Sequence, residues 1–145
     1  MAAAATPALA VLAEAGVPHE LRHFEAVGDL SDGTGIAAEQ VFKTLIIALP
    51  RELAVAVVPV LAKLSLKAAA AAFGVAKAGM AEPAAAQRST GYVMGGISPF
   101  GQRRRLRTAV DSSALRWDQV LCSAGKRHST SRRARMWRDS SRRTM

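Results

Sequence analysis

The sequence predicts a single α+β domain in which helices flank a mixed, mostly antiparallel sheet. Its 145 residues suit one domain that buries a real core, and they are too few for two ordinary domains. Half of the residues are apolar and many are Ala, which favours helices. Helical and strand-like segments alternate irregularly along the chain. This order favours an α+β fold over a doubly wound parallel sheet.

Three helices are predicted from their end signals. Thr6-Pro7 is an N-cap followed by a first-turn proline, and the apolar pattern that follows stops at Gly16. A second helix spans residues 64–73, with Ser65 as a cap and Gly74 as its stop. A third, short helix covers 83–89 before Gly91.

Apolar, β-branched runs at residues 41–50 and 53–59 predict a buried β-hairpin that turns at Pro50-Arg51. Shorter strands are predicted at 19–25, 75–81, 92–94, 108–110 and 117–122, with a turn at Asp111-Ser112-Ser113 between the last two.

The positive charge lies mainly at the C-terminal end. The net charge is +9, of which residues 126–145 carry +7 and residues 1–125 only +2. We therefore divide the chain into a folded domain, 1–125, and a basic tail, 126–145, whose Arg- and Ser-rich sequence predicts disorder. The tail is a basic arm for RNA or another polyanion, a solvated segment without consequence, or the product of a shifted reading frame.

Several functional classes are disfavoured by composition. Cys122 is the one cysteine, which excludes an internal disulfide and a CxxC metal cluster. No metal or other cofactor is expected. No apolar run reaches the length of a membrane span, so we expect a soluble, cytoplasmic protein that does not bind membranes. Aromatic residues are too scarce for a base-stacking platform.

The segment GYVMGGISPFGQRRR, residues 91–105, combines backbone freedom, amide donors and charge. Gly95 and Gly96 permit unusual backbone angles, and Pro99 fixes the chain just beyond them. Amides that converge in such a loop can hold an oxyanion or a phosphate. The alternative is a tight hairpin loop followed by a solvated run of arginines.

Lys43 is the one charge within the apolar run 41–49. An ammonium in a buried strand is unfavourable without a partner or a substrate. A lysine that extends its charged end to solvent is the simpler alternative.

Five segments together resemble the YbaK/EbsC type of bacterial aminoacyl-tRNA deacylase, which is related to the editing domain of bacterial prolyl-tRNA synthetases. They are VFKTL at 41–45, LAVAVVP at 53–59, the helix with Leu64 and Leu66-Lys67, QRSTGYVMGGISPFGQ at 87–102 and CSAGKR at 122–127. The resemblance implies that family's curved sheet. It also implies hydrolysis of wrongly attached amino acid, chiefly cysteine, from tRNA(Pro), with aminoacylated tRNA and prolyl-tRNA synthetase as partners. The substrate's own thiol would attack its carbonyl.

The resemblance also assigns roles to individual residues. Lys43 would hold the tRNA terminus or polarise the ester, and a backbone pocket would surround the carbonyl. The complete set comprises the catalytic residues Lys43, Gly95, Gly96, Ile97 and Ser98, the substrate-binding residues Phe24, Met94, Pro99 and Ser123, and the tRNA-binding residues Arg103, Arg104 and Arg105.

The chain departs from the family pattern at its C-terminal end. Family members continue into a final strand and helix that bring an aspartate into the active site, whereas Thr130 occupies that position here. We expect this strand and helix to be missing, with a frame error as the leading explanation. The alternative function is a non-catalytic, RNA-binding remnant of an editing domain. A third possibility is an unproductive product of a damaged gene.

Overall fold

Two β-sheets that meet along one edge form the centre of the fold. The computed structural model describes residues 6–24, 37–127 and 132–138, and for 20–24, 126–127 and 132–138 it describes the backbone alone. The elements are α1 (Pro7–Glu14), β1 (His19–Phe24), a 3₁₀ helix (Ala38–Gln40), β2 (Phe42–Ala48), β3 (Leu53–Pro59), α2 (Leu66–Phe73), β4 (Gly79–Met80), α3 (Pro83–Thr90), β5 (Thr108–Val110), a 3₁₀ helix (Ser112–Arg116), β6 (Gln119–Arg127) and β7 (Arg132–Arg138).

The predicted hairpin forms the middle of a four-stranded sheet with strand order β4-β2-β3-β5. Strands β2 and β3 pair antiparallel along their full length, from Phe42 opposite Pro59 to Ala48 opposite Leu53. Strand β4 adds antiparallel to β2, and β5 adds parallel to β3. The predicted mixed, mostly antiparallel sheet and the α+β class are confirmed.

The two faces of this sheet are covered by different parts of the chain. Alternate residues of β2 and β3 point to opposite faces. One set, which includes Phe42 and Val55, packs with α3 and with the loop that follows it. The other set, which includes Ile47 and Ala54, packs against α2.

The helix ends confirm the signals read from the sequence. The Thr6 hydroxyl accepts a hydrogen bond from the Leu9 amide, and the Ser65 hydroxyl accepts one from the Ala68 amide. Helix α2 ends at Gly74 and α3 at Gly91, both in the left-handed conformation that glycine adopts without strain.

The C-terminal strand was expected to be missing, and that prediction is wrong for the residues of β7. Strand β7 lies between β1 and β6, antiparallel to both, in a three-stranded sheet. A central position between two strands supplies backbone hydrogen-bond partners on both sides, and this pairing does not require a strand-like composition. The expected absence of the final helix concerns residues 139–145, which lie outside the described residues, as does Thr130.

The structure differs from the prediction at three further strands. Residues 92–94 are not a strand, because the chain turns there and buries the Tyr92 ring. Only Gly79–Met80 of the predicted strand 75–81 forms, and it pairs with Ile47 and Ala48 of β2. Strand β6 begins at Gln119 and continues to Arg127, past the predicted end at 122 and into the predicted tail.

Candidate functional site

The glycine-rich segment forms a loop whose two ends are joined by backbone hydrogen bonds. The Arg103 amide donates to the Thr90 carbonyl and the Arg104 amide to the Ser89 carbonyl, each at 2.9 Å. These carbonyls belong to the last turn of α3, where helical partners run out. The loop from Gly91 to Gln102 is therefore fixed at its base to the helix.

One contact closes the loop on itself, and a second packs it against the rest of the fold. The Tyr92 hydroxyl donates to the Phe100 carbonyl at 2.7 Å across the loop. Gly101 has φ +65°, and a Cβ at this position would lie 2.5 Å from the Pro7 carbonyl. The loop thus packs directly on the first turn of α1.

The backbone amides of the loop fall into two groups. The Met94 amide donates to Oε1 of Gln87, and the Gly96 amide donates to the Val93 carbonyl, each at 2.9 Å. Within the described part of the chain, the amides of Gly95, Ile97 and Ser98 have no acceptor. Three donors from the predicted pocket therefore remain for a ligand.

The side chains of the loop shape this backbone. Ile97 is buried against Phe42 and Tyr92 in the core. Ser98 is fully buried. Its hydroxyl accepts a hydrogen bond from the Phe100 amide at 3.2 Å, and the half-buried Pro99 lies between the two residues in sequence. The Ser98 hydroxyl therefore stabilises the turn, while Met94 remains partly exposed beside it.

Lys43 is half-buried near the start of β2 and makes one hydrogen bond. Its Nζ donates to the Ala62 carbonyl at 2.6 Å. No carboxylate of the described residues forms an ion pair with it. The carbonyl takes one of the three N–H donors of this side chain, which leaves two for an anionic or carbonyl group.

Lys43 and the glycine loop approach β2 from opposite faces. Phe42 and Ile46 belong to the cluster that contains Ile97, so the adjacent Lys43 leaves the strand on the other face. A substrate that contacts both groups would lie around the edge of β2. This arrangement favours separate contacts for the two groups over a shared contact to one atom.

Strand β6 lies beside that edge of β2. Val41 and Leu121 form an isolated parallel bridge between the two sheets. When this register is continued, Ser123 lies level with Lys43. On this side β2 is paired with β4 only at Ile47 and Ala48. The predicted residues Lys43 and Ser123 thus lie at the same level of two neighbouring strands.

Thr44 is a candidate that the sequence interpretation missed. Its Oγ1 is buried and has no hydrogen-bond partner. A buried hydroxyl without a partner is costly, so such groups often mark a ligand position. Thr44 shares a face of β2 with Phe42 and Ile46, the face on which Ile97 packs. The available signal was a polar residue within the apolar VFKTL segment.

The described residues offer little for covalent catalysis by the protein. Cys122 is buried, and burial raises the pKa of its thiol to about 12. Burial also raises the pKa of Tyr92 to about 12. A hydrogen bond between Tyr92 and the Ala8 backbone lowers this pKa, but by less than burial raises it. Both groups are therefore protonated at neutral pH. Among the described residues, no group of three or more His, Cys, Asp or Glu side chains could hold a metal ion.

The remaining predicted residues are found as follows. Arg103, Arg104 and Arg105 are all exposed immediately after the glycine loop. Phe24 ends β1 opposite Arg132, and its side chain lies outside the described residues. The Ser123 hydroxyl accepts a hydrogen bond from the Gly125 amide at 3.1 Å.

None of the helices described here has the length and apolar character needed to cross a membrane.

Sequence comparison gives two matches. The family model described as "Aminoacyl-tRNA editing domain" matches residues 23–134. A curated protein of Enterococcus faecalis, named "Putative Cys-tRNA(Pro)/Cys-tRNA(Cys) deacylase EbsC", is 33% identical over 99 residues, which make up 68% of this chain. The matched region spans 60% of that relative's length.

Solved structures share the fold at low sequence identity. A crystal structure described as that of "a putative trans-editing enzyme for prolyl tRNA synthetase" superposes with a TM-score of 0.76 at 18% identity, covering 90% of this chain and 83% of that one. The crystal structure of a hypothetical protein superposes with a TM-score of 0.75, also at 18% identity, covering 91% and 87%.

Proposed function

The chain belongs to the aminoacyl-tRNA editing domain family, and we propose that it hydrolyses the ester of wrongly charged tRNA(Pro), chiefly the ester that carries cysteine. The observation that best supports this activity is the group of unpaired amides at Gly95, Ile97 and Ser98 in a loop that is fixed at both ends. Donors held in place before reaction stabilise the negative charge that develops on a carbonyl oxygen.

In this proposal the substrate supplies the nucleophile. The cysteine sulfur attacks its own carbonyl carbon, and the bond from that carbon to the ribose oxygen breaks. The thiol proton passes to the leaving ribose oxygen, and water then opens the resulting thiolactone. A protonated, buried Cys122 fits this route, because no protein thiolate is required.

Lys43 is proposed to bind the terminal nucleotide rather than the oxygen that the loop receives. Lys43 and Ser123 lie level with each other on the neighbouring strands β2 and β6, and the loop lies on the other face of β2. A ligand held at both places is fixed in position and orientation, which itself accelerates ester cleavage. Phe24, Met94 and Pro99 are proposed to line the amino-acid pocket, and Arg103 to Arg105 to bind acceptor phosphates. We expect the reaction to occur in the cytoplasm, with prolyl-tRNA synthetase as a partner.

The test compares tRNA(Pro) charged with cysteine, alanine or proline. The wild-type chain should release cysteine, and K43A should slow that release by about 100-fold or more, because the terminal nucleotide is no longer held in position. The matched control is K77A, which removes a lysine that is exposed and distant in sequence from the site. Equal rates for K43A and wild type would refute the role of Lys43.

The alternative is a non-catalytic RNA-binding domain, favoured by the exposed arginines that follow the loop. Under this alternative, the wild-type chain binds tRNA but releases no amino acid above the rate seen without protein. Deletion of residues 128–145 would then flatten the salt dependence of binding. Cysteine release that depends on Lys43 would exclude the alternative.

A further inference from the structure

A polar cavity lies at the opposite end of β2 from Lys43. This open cavity has a volume of about 530 Å³ and lies between the turn that joins β2 to β3, the outer side of α3 and the segment after the glycine loop. Arg51, Arg88 and Arg104 line it from these three elements, together with Glu52 and Ser89. Residues far apart in sequence therefore bring three cations to one cavity.

The three arginines have no partner of their own. Within the described part of the chain, none of their side chains forms an ion pair or a hydrogen bond. The carboxylate of Glu52 accepts two hydrogen bonds from Arg107, at 3.2 and 3.3 Å. Arg107 also stacks on Phe73, with its guanidinium carbon 5.2 Å from the ring centre. Glu52 is thus already paired, and the cavity keeps an excess of positive charge.

Ser89 provides a second, independent observation. It lines the cavity at only 7% exposure, and its hydroxyl has no hydrogen-bond partner. Serine in a helix usually bonds a carbonyl one turn earlier or faces water. An unpaired hydroxyl beside three guanidinium groups fits an oxygen-rich anion that uses both kinds of donor.

The geometry points to a phosphate-binding site, and we propose that Arg51, Arg88, Arg104 and Ser89 bind a backbone phosphate of the tRNA acceptor end. This inference rests on the proposed function. A guanidinium group can donate two parallel hydrogen bonds to the oxygens of a phosphate. Three guanidinium groups and one carboxylate also leave the cavity with a net positive charge. The two hydrogen bonds from Arg103 and Arg104 to α3 hold one wall of the cavity in place.

The position of the cavity suits a long, charged ligand. Lys43 and Ala48 stand five positions apart on β2, a separation of about 17 Å at ~3.3 Å per residue. At roughly 3.4 Å per stacked nucleotide, this distance corresponds to on the order of five nucleotides. The loop proposed to receive the ester begins and ends at the wall of the cavity. One RNA strand can therefore contact both sites.

The test measures binding of uncharged tRNA(Pro) across a series of salt concentrations. R51Q/R88Q removes two cavity charges, and K77Q/R116Q removes two exposed charges that do not line the cavity. The slope of log affinity against log salt should become shallower by about 1 for R51Q/R88Q, because the cavity is proposed to hold one phosphate. The slope for K77Q/R116Q should stay at the wild-type value. R51K/R88K keeps both charges and should keep the wild-type slope.

Three outcomes overturn the inference. One is an equal slope change in R51Q/R88Q and K77Q/R116Q, which would reflect net charge alone. Another is a slope for R51K/R88K as shallow as that for R51Q/R88Q. The third is loss of inorganic phosphate binding in R51Q/R88Q with tRNA binding unchanged, which would identify a site for free phosphate. Because the tRNA is uncharged, failure of ester cleavage does not affect these measurements.

Discussion

A Cβ placed on Gly125 would lie 2.6 Å from Cε1 of Tyr92, closer than real side chains approach an aromatic ring. Gly125 also has φ +96°, a conformation that other residues rarely adopt. Through this contact, β6 packs directly on the residue whose hydroxyl holds the glycine loop at the Phe100 carbonyl. Strand β6 and the candidate site are thus joined by one close approach.

Gly125→Ala should therefore lower the free energy of unfolding by about 3 kcal/mol, because it combines backbone strain with overpacking. Urea denaturation followed by circular dichroism measures this change. Gly79→Ala is the matched control, since Gly79 lies in a strand with a negative φ and open space around it. Equal stability of the two variants would contradict the close approach.

Stability should also fall in alkaline solution. The folded state keeps the Cys122 thiol and the Tyr92 phenol protonated up to a pKa of about 12, against ordinary values of 9.0 and 10.0. The unfolded chain therefore loses these protons first as the pH rises. The free energy of unfolding should fall above pH 9, by up to about 1.4 kcal/mol per pH unit for each group.

Cys122→Ala tests the contribution of the thiol. Denaturation midpoints measured at intervals from pH 8 to 11 should fall less steeply for this variant than for the wild type, because only the Tyr92 contribution remains. Parallel curves for the two proteins would show that the thiol does not contribute.

Glu52→Gln should strengthen RNA binding by roughly threefold at low salt, because it removes the one carboxylate in the arginine-lined cavity. The loss of the exposed Glu52–Arg107 pair should change stability by less than about 1 kcal/mol. Glu14→Gln makes the same charge change away from the cavity, in α1. Fluorescence titration of uncharged tRNA against both variants measures the effect, and an equal gain for both would leave no role for the cavity.

Local signals in the sequence were enough to predict the central elements. Thr6, Ser65 and Gly74 fix helix ends through hydrogen bonds and backbone angles within a few residues, and such effects do not depend on the rest of the fold. The hairpin of β2 and β3 follows in the same way from two β-branched runs beside a proline turn. The resemblance in VFKTL and in the glycine segment indicated the family that the comparisons support.

Three features were decided by tertiary structure alone. Strand β7 forms in an arginine-rich segment because two neighbouring strands supply backbone partners, which composition does not reveal. Lys43 and the glycine loop occupy opposite faces of β2 because side chains alternate along a strand, and the packing decides which face each neighbour covers. Arg51, Arg88 and Arg104 form one cavity because a turn, a helix and a loop end meet there. The sequence by itself determined the helix ends, the central hairpin and the family, whose signals lie within short segments. Only the long-range contacts between those segments determined where the charges and the unpaired donors converge.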